Sequence, residues 1–313
     1  MAVFTKLSSQ EINKILSTYN FGKLKKFSGI KEGIENTNYL IQTTRGKAIL
    51  TIFEKRVRKK DVPFFVKLMA QLNNNGFKCP KPFINKQGRS IFKIKNKLSI
   101  LVSFVDGKGK KILSNRDIQN LGKQIAKFHK LTAKFKINRR DTLSYQTWIK
   151  IFKKIKWDKP KEKIEVKQYL EFYKKNKPKK LTKGIIHGDL FPDNIFFKKN
   201  IFSGLIDFYF SYNGSYLYEL AVMINALCFG DKKVNIKKTT DLINNYKKNN
   251  KIINSEFKYI NVVCLGAAIR FYLTRKYDQK NTPKGAHIKK KDPKEYLNKM
   301  RYFYNNFHLK IYD

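Results

Sequence analysis

The sequence is poor in acidic residues, in arginine and in cysteine. Its 313 residues contain 23 Asp and Glu against 68 Lys and Arg, and only ten of these basic residues are Arg. Cysteine occurs three times, at Cys79, Cys228 and Cys264, and no two of these form a Cys-x-x-Cys pair. This scarcity argues against a disulfide framework and against a cysteine-based zinc site. Sparse, reduced thiols are typical of a cytosolic protein.

Long apolar runs are also absent. No stretch approaches the roughly 18 residues that a membrane-spanning helix needs. The first residues, MAVFTKLSSQ, have neither the apolar core of a signal peptide nor the Arg-rich pattern of a transit peptide. Hydrophobic residues still make up 42% of the chain and aromatic residues 14%, which favours a packed core over disorder. We therefore expect a cytoplasmic globular protein with no membrane partner.

The formal net charge of +45 is the most prominent feature of the composition. A strong positive field binds nucleic acids and anionic membranes without specificity. Here the charge is carried mainly by Lys, whereas Arg is the better reader of phosphates and bases. The lysines are spread along the whole chain beside abundant Ile, Asn, Phe and Tyr, which indicates drift toward A·T-rich codons. We therefore expect no specific nucleic-acid partner.

Secondary-structure signals divide the sequence into a β-rich first third and a mostly helical remainder. The expected elements of the first third are a capped helix from Ser8, strands over 24–55, a helix from Asp61, and strands over 90–105. The remainder is expected to be helical except for a β-rich island over 184–208. This pattern predicts an α+β fold of two lobes with a cleft between them. The smaller, β-rich lobe would comprise residues 1–105 and the larger, helical lobe residues 106–313.

The segment with the most informative chemistry is 184–197, which reads GIIHGDLFPDNIFF. A short apolar strand leads into a loop that contains Asp189 and ends at Asn194, and a second apolar strand ends on Asp207. Asp and Asn are common in turns, but phosphoryl transfer needs this same set. It requires a carboxylate that orients and deprotonates a hydroxyl, and oxygen ligands for magnesium. We therefore predict Asp189 as the catalytic base and Asn194 and Asp207 as Mg²⁺ ligands.

This segment resembles the catalytic loop and metal-binding Asp of the aminoglycoside phosphotransferase and choline kinase superfamily, which are relatives of protein kinases. In protein kinases the loop reads His-Arg-Asp, and Gly188 stands here in place of that Arg. Nearly the whole chain is also similar to the homoserine kinases of this superfamily. The segments that carry this similarity include 1–12, 29–40, 49–56, 61–65, 189–197, 204–210, 270–278 and 291–297.

The resemblance implies a protein-kinase-like fold and ATP- and Mg²⁺-dependent phosphorylation of the homoserine side-chain hydroxyl, in threonine biosynthesis. Two alternatives stay open. Another kinase of the superfamily, acting on an amino alcohol, an aminoglycoside or a sugar amine, would carry the same loop. A basic nucleic-acid-binding protein with an inactive kinase fold is the rival from a different class. The intact set of Asp189, Asn194 and Asp207 argues against that rival.

The phosphates of ATP are expected near the first strands. Gly29 and Gly33 precede a strand, and glycines let backbone N–H groups approach anions. A plain hairpin turn explains the same spacing. Asn36 and Asn38 are candidates for additional side-chain donors to the nucleotide.

Protein kinases place a Lys on the third strand, where it pairs with the phosphates and with a helix Glu. The resemblance puts that position at Thr51, and the helix that follows contains no Glu. We predict that Lys55 or Arg56, just past the strand, supplies the positive charge instead. The resemblance also implies that the segment from Ser103 to Val105 is the hinge whose backbone meets adenine.

The amino-acid substrate needs groups that bind its carboxylate, and Arg is the natural choice. Arg270 and Arg275 lie in a segment rich in Phe, Tyr and Leu. Because they are five residues apart on a predicted helix, at most one should face the ligand. Structural salt bridges to Asp278 or Glu219 are the alternative. Tyr209 shares a strand face with the predicted metal ligand two residues earlier and is expected to line the cleft.

Overall fold

The computed structural model describes residues 3–30, 36–54, 57–230, 232–281 and 291–312. These residues divide into two compact units. The N-terminal unit comprises the described residues up to 107 together with 203–209, and the C-terminal unit comprises 108–202 and the described residues beyond 209. The lobes predicted from the sequence differ from these units at 203–209, which return to the first unit. Within that unit, the Leu205 N–H donates to the carbonyl of Lys78 at 3.1 Å.

The N-terminal unit contains two helices and a five-stranded antiparallel sheet of order β1-β2-β3-β5-β4. Its elements are α1 (Ser9–Ser17), β1 (Leu24–Gly29), β2 (Thr37–Thr43), β3 (Gly46–Ile52), α2 (Val62–Asn74), β4 (Ile91–Ile94) and β5 (Lys97–Ser103). The predicted capping box at the start of α1 is confirmed. Ser8 Oγ accepts the Glu11 N–H at 3.2 Å, and the Glu11 carboxylate accepts the Ser8 N–H at 2.8 Å.

The core of this unit follows from the alternation of side chains along its strands. Residues of β2 are alternately buried and half-buried, as expected when one face of a sheet meets the core. Tyr39 and Ile41 of β2 pack there with Leu50 of β3 and Ile12 of α1. The strand register then fixes the neighbours of Thr51, which lies opposite Asn38.

The predicted start of α2 at Asp61 is confirmed, but the side chain of this residue does not cap the helix. Asp61 occupies the N-cap position of α2, but its side chain forms no capping hydrogen bond. Its carboxylate instead accepts two hydrogen bonds from Arg58, from Nε at 2.9 Å and from Nη2 at 2.8 Å. The nearby guanidinium therefore takes the acceptor that the helix terminus would otherwise use.

The C-terminal unit is mostly helical. Its helices are α3 (Asn115–Thr132), α4 (Tyr145–Lys154), α5 (Pro160–Asn176), α6 (Tyr216–Leu227), α7 (Ile236–Asn249), α8 (Ile260–Asn281) and α9 (Lys294–Asn305). Its short strands are β6 (Lys108–Gly109), β7 (Lys183–Ile186), β8 (Ile195–Lys198), β9 (Ile201–Leu205), whose last three residues belong to the N-terminal unit, and β10 (Tyr212–Ser215). Strand β7 pairs antiparallel with β10, and β6 pairs antiparallel with β8.

Two of these helices form the centre of the C-terminal unit. Nearly every residue of α6 is buried, and so is the first half of α8. Helices that are apolar on all sides are expected in the interior of a large unit. The Asn225 amide of α6 donates to the Cys264 carbonyl of α8 at 3.0 Å, which fixes the two helices against each other.

None of the helices formed by the described residues combines the length and the apolar character needed to cross a bilayer.

Gly122 tests the packing of α3 against α7. A Cβ atom at this position would lie 2.5 Å from the Leu242 carbonyl oxygen and 3.0 Å from the Asn245 Cβ. Alanine normally stabilises a helix relative to glycine, but here the added methyl group overpacks the contact. We expect Gly122→Ala to lower the free energy of unfolding by about 1–3 kcal/mol in urea titrations. Gly230→Ala is the control, since its Cβ would meet only the Lys233 carbonyl at 3.6 Å. Equal losses in the two variants would contradict the packing argument.

Candidate active site

Strand β7 delivers a short loop that holds Asp189 and Asn194 close together. The Asp189 carbonyl accepts the Phe191 N–H at 2.9 Å and the Asn194 amide at 2.8 Å. The same amide nitrogen donates to Asp189 Oδ2 at 3.1 Å. Asn194 ends a 3₁₀ turn and is buried. These bonds fix the Asp189 carboxylate without involving a distant side chain.

Two buried ionisable side chains, Glu219 and Arg270, hold the backbone of the loop. The Glu219 carboxylate of α6 accepts the backbone N–H groups of His187 and Gly188, the latter at 3.2 Å. Arg270 of α8 donates from Nη1 to the Gly188 carbonyl at 2.8 Å. Burial raises the pKa of Glu219 to about 8, although the two N–H groups and the charge of Arg270 oppose the rise. The peptide groups on both sides of Gly188 are therefore held by side chains from the two central helices.

The backbone at Gly188 explains why Arg is absent from the loop. Its φ of +77° lies in the left-handed region that favours glycine. A Cβ atom there would lie 3.1 Å from the Phe210 carbonyl and 3.2 Å from the Tyr212 ring. The loop therefore adopts a conformation in which a side chain at this position would be strained and crowded.

The charges around Asp189 act in opposite directions. Burial raises the pKa of the Asp189 carboxyl, whereas the positive charges of Arg270 and Lys291 oppose that rise. Lys291 lies 4.6 Å from the centre of the Phe191 ring and forms an ion pair with Asp193 at 3.2 Å. A carboxylate in this setting can accept both a hydrogen bond and a proton from a hydroxyl group, as a general base must.

Asp207 belongs to the N-terminal unit. It follows the apolar strand β9 and precedes a 3₁₀ turn over Phe208–Phe210. Its φ of +62° is in the left-handed region, which is uncommon for residues other than glycine. Backbone strain of this kind is concentrated at functional sites. Lys95, Asn96, Lys199 and Asn200 also have positive φ values, but these four lie in turns between paired strands, whereas Asp207 follows a strand and precedes a 3₁₀ turn.

Tyr209 is anchored inside the N-terminal unit. Its hydroxyl donates to Thr51 Oγ1 at 3.3 Å, and Thr51 in turn donates to Asn38 Oδ1 at 2.7 Å. Its ring packs edge-on against Phe53 and Phe65, with centroid distances of 5.0 and 5.8 Å. The hydroxyl of the residue that we expected to line the cleft therefore has a partner on β3. The substrate contact of Tyr209 stays a prediction.

The same hydrogen bonds show what occupies the position where protein kinases have a strand lysine. Thr51 is 1% exposed and lies between Asn38 and Tyr209. A threonine hydroxyl both donates and accepts, so it links the two side chains without a charge. The position that carries Lys in protein kinases is therefore a buried, neutral link between β2, β3 and the segment after Asp207.

The other residues predicted to contact the nucleotide differ in their hydrogen-bond partners and in their places along the strands. Asn36 is buried, and its Oδ1 accepts the Glu54 N–H at 3.3 Å. The Ser103 N–H donates to the Lys81 carbonyl and its Oγ accepts the Lys81 N–H, both at 2.8 Å. Gly29 ends β1, and Val105 lies just beyond β5. Three predicted contacts, Gly33, Lys55 and Arg56, lie outside the described residues.

The two predicted substrate arginines have different partners, as their spacing indicated. Arg275 forms an ion pair with Glu295 at 2.7 Å, and its guanidinium lies 4.4 Å from the Tyr296 ring centre. The predicted partners Asp278 and Glu219 are wrong for Arg275, because α9 packs on α8 and brings a carboxylate that is distant in sequence. Arg270 instead lies at the catalytic loop, as its bond to Gly188 shows.

The sequence interpretation missed the role of Glu219 beneath the loop. One signal was available, since Glu219 is the sole charged residue of α6. A buried carboxylate in an apolar helix must find hydrogen-bond donors. Nothing in the sequence indicated that those donors would be the backbone of the catalytic loop.

The side chains available for Mg²⁺ have the chemistry that this ion prefers. Within the part of the chain that the structure describes, no three His, Cys, Asp or Glu side chains converge on a metal site. Magnesium, however, usually binds one or two carboxylates and substrate phosphates instead of a complete protein cage. The Asn194 amide nitrogen is engaged by Asp189, so its Oδ1 is the atom left to bind a cation. The Asp207 carboxylate, in the N-terminal unit, is a hard oxygen donor of the same kind.

Comparison with known proteins identifies the family. The model of the phosphotransferase enzyme family, APH, matches residues 26–234. This chain belongs to that family. It is 37% identical to a homoserine kinase of Agrobacterium fabrum over 312 residues, which cover 96% of this chain and 95% of that protein. It is 38% identical to a homoserine kinase of Parvibaculum lavamentivorans over 307 residues, which cover 96% of each chain.

Solved structures of other kinases show the same fold. A microcompartment-associated aminopropanol kinase aligns with a TM-score of 0.75 at 12% identity, covering 97% of this chain and all (100%) of that one. The amicoumacin kinase hAmiN aligns with a TM-score of 0.73 at 14% identity, covering 98% and 95%. Both the predicted protein-kinase-like α+β fold and the predicted superfamily are confirmed. The phosphotransferase is therefore built from a small β-rich N-terminal part and a larger helical part.

The elevated pKa of Glu219 predicts a pH-dependent contribution to stability. Between its ordinary value of 4.5 and its folded value of about 8, the folded protein binds a proton that the unfolded chain releases. The free energy of unfolding of the wild type should therefore fall as pH rises through this window, relative to Glu219→Gln. Urea titrations of both proteins between about pH 5 and pH 9 measure this difference. A difference that does not change with pH would contradict the assignment.

Proposed function

We propose that this phosphotransferase is a homoserine kinase, which transfers the γ-phosphoryl group of ATP to the side-chain hydroxyl of L-homoserine in threonine biosynthesis. The observation that carries this proposal is the similarity to curated homoserine kinases over 96% of the chain. The hydrogen-bonded loop around Asp189 independently supports phosphoryl transfer, because it holds a carboxylate beside a buried amide, as a phosphotransferase requires. Three free, buried cysteines support a cytoplasmic location.

Asp189 is the proposed general base. Its carboxylate orients the substrate hydroxyl and accepts its proton as the hydroxyl oxygen attacks the γ-phosphorus and the bond to ADP breaks. Glu219 and Arg270 fix the backbone that precedes it, so little reorganisation is needed before reaction. The bond from Asn194 to Asp189 Oδ2 leaves Oδ1 as the oxygen that meets the hydroxyl.

Asn194 and Asp207 are the proposed ligands of Mg²⁺, through Oδ1 of the amide and the carboxylate. When bound, this ion neutralises the charge of the phosphate oxygens during transfer. The proposed contacts to the nucleotide itself are Gly29, Gly33, Asn36, Asn38, Ser103 and Val105. The proposed source of the remaining positive charge is Lys55 or Arg56, because the buried Thr51 cannot provide it.

Variants of the two carboxylates test this mechanism. Asp189→Asn should lower kcat for homoserine by at least about a hundredfold while ATP affinity changes little, since the base is lost but the loop remains. Asp207→Ala should instead abolish Mg²⁺-dependent nucleotide binding. ADP release measures the first effect, and calorimetric titration of ATP with and without Mg²⁺ measures the second. Asp158→Asn is the matched control. Asp158 forms an ion pair with Lys280 at a distance of 2.5 Å and belongs to no proposed site. Near-normal turnover in Asp189→Asn would remove this residue from the mechanism.

The phosphate-pairing charge is tested separately. One of Lys55→Ala and Arg56→Ala should impair turnover or ATP affinity by at least about tenfold, or about 1.4 kcal/mol. Thr51→Ala should affect these constants much less, because it removes a neutral hydrogen bond to Asn38. Its expected effect is instead a loss of about 1–2 kcal/mol in the free energy of unfolding. If both charge deletions leave the kinetics of ATP unchanged, the cation comes from elsewhere in the chain.

A further inference from the structure

Two buried polar atoms beside the catalytic loop have incomplete hydrogen bonds. Among the described residues, Arg270 Nε and the Tyr218 hydroxyl have no partner in full hydrogen-bond geometry, although Arg270 is 4% exposed and Tyr218 is 8% exposed. The two side chains interact with each other. Buried polar groups whose hydrogen bonds are incomplete are rare in folded proteins, and beside a catalytic loop they are candidates for ligand contacts.

These two side chains are anchored to the loop that carries Asp189. Arg270 Nη1 donates to the Gly188 carbonyl, the residue directly before Asp189. Tyr218 directly precedes Glu219, whose carboxylate accepts the Gly188 N–H. The charge of Arg270 also acts on the Tyr218 hydroxyl and on the Asp189 carboxyl. A cationic donor and a neutral donor therefore interact with each other, and the cationic one is bonded to the peptide that precedes the proposed base.

An exposed carboxylate lies in the same part of the C-terminal unit. The segment before Asp141 is fixed to the β10 region, because the Arg139 N–H donates to Asn213 Oδ1 at 2.8 Å and the Asn213 N–H donates to the Arg139 carbonyl at 2.9 Å. Arg139 Nη1 also donates to the Ser211 carbonyl at 2.8 Å. The neighbouring Tyr212 ring borders Gly188. The Asp141 carboxylate acts electrostatically on Tyr218 and is itself influenced by Arg270.

The Asp141 carboxylate has spare capacity for a ligand. Its Oδ1 accepts the Leu143 N–H at 2.7 Å. Within the described residues, no basic side chain forms a salt bridge with it. A charged carboxylate accepts several hydrogen bonds and favours a cationic donor. Asp141 is therefore suited to an ammonium group.

We propose that Arg270 and Tyr218 bind the α-carboxylate of the acceptor amino acid and that Asp141 binds its α-ammonium group. The arrangement of two donors and one acceptor is complementary to a zwitterion. The hydroxyl of homoserine lies two carbons from the α-carbon, so a head group held beside Gly188 places the hydroxyl toward Asp189. This assignment rests on the proposed homoserine kinase activity and identifies the part of the protein that recognises the amino acid.

Two substrate analogues separate the contacts. The compound 4-hydroxybutanoate keeps the carboxylate but lacks the ammonium group, and 3-aminopropan-1-ol keeps the ammonium group but lacks the carboxylate. Tyr218→Phe should weaken the binding of homoserine and of 4-hydroxybutanoate by about tenfold and leave the binding of 3-aminopropan-1-ol unchanged. Asp141→Asn should weaken the binding of homoserine and of 3-aminopropan-1-ol by about tenfold or more and leave the binding of 4-hydroxybutanoate unchanged. Each analogue is measured as a substrate or, where it is not turned over, as a competitive inhibitor of homoserine phosphorylation.

Controls separate this site from loss of structure. The KM for ATP should change less than about twofold in both variants, since neither residue is proposed to meet the nucleotide. Tyr304→Phe and Asp158→Asn are matched controls, because Tyr304 accepts a surface hydrogen bond from Gln168 and Asp158 pairs with Lys280. Both controls should retain wild-type constants for all three compounds.

The outcomes distinguish the two proposals. A wild-type protein that does not phosphorylate homoserine would overturn the proposed function, and the head-group site with it. If the wild-type protein phosphorylates homoserine, but each variant binds both analogues equally weakly or binds both as well as the wild type does, the head-group site alone is overturned.

Discussion

The two hydrogen bonds that hold the Gly188 peptide groups are the constraint on which the catalytic loop depends. The N–H of Gly188 is bound by the Glu219 carboxylate at 3.2 Å, and its carbonyl is bound by Arg270 at 2.8 Å. The left-handed backbone at Gly188 turns these two groups toward the central helices. Asp189 follows directly, so α6 and α8 fix the backbone before it, while Asn194 holds its carboxylate from within the loop.

Burying a carboxyl group and a guanidinium under one peptide is costly, and hydrogen bonds limit that cost. Glu219 is completely buried, and desolvation raises the pKa of its carboxyl to about 8, so the neutral form predominates below that pH. It accepts hydrogen bonds from backbone N–H groups, while Arg270 donates to a backbone carbonyl. Each buried group therefore has a hydrogen-bond partner, as burial requires. Removing either side chain would leave a peptide group of the loop without its partner.

The local parts of the site could be predicted from the sequence, because short spacing fixes them. Asp189 and Asn194 lie in one loop, and their five-residue separation allows the hydrogen bond that the structure shows. The capped first helix and the β-rich first third follow from equally local signals. The contacts that hold the loop are of another kind. Arg270 reaches Gly188 across 82 residues, and a pairing of that range depends on how α8 packs. No hydrophobic periodicity in the sequence indicates that Arg270 pairs with Gly188.

The role of Thr51 could be predicted only in part from the sequence. The sequence showed that a neutral residue stands where protein kinases have Lys, but it could not show what replaces the ion pair. Strand register places Thr51 opposite Asn38, and the return of residues 203–209 to the N-terminal unit brings Tyr209 to the same hydroxyl. The result is a neutral connection from β2 to the segment that follows Asp207. Position 51 therefore carries no charge because it is used for packing and hydrogen bonding.

The scarcity of acidic residues gives weight to each carboxylate. With 68 basic against 23 acidic residues, most acids should attract a cation in a folded chain. Ten acidic residues do so among the described salt bridges: Glu11, Glu54, Asp61, Asp117, Asp158, Glu162, Glu165, Glu171, Asp193 and Glu295. Asp141 has no such partner there, although Arg139 and Lys183 act on it electrostatically. Other described acids, such as Asp189 and Glu219, also form no salt bridge, but they are buried or bonded in the loop, whereas the Asp141 residue is exposed and its carboxylate can accept further hydrogen bonds from a ligand. That is the property which an ammonium-binding residue requires.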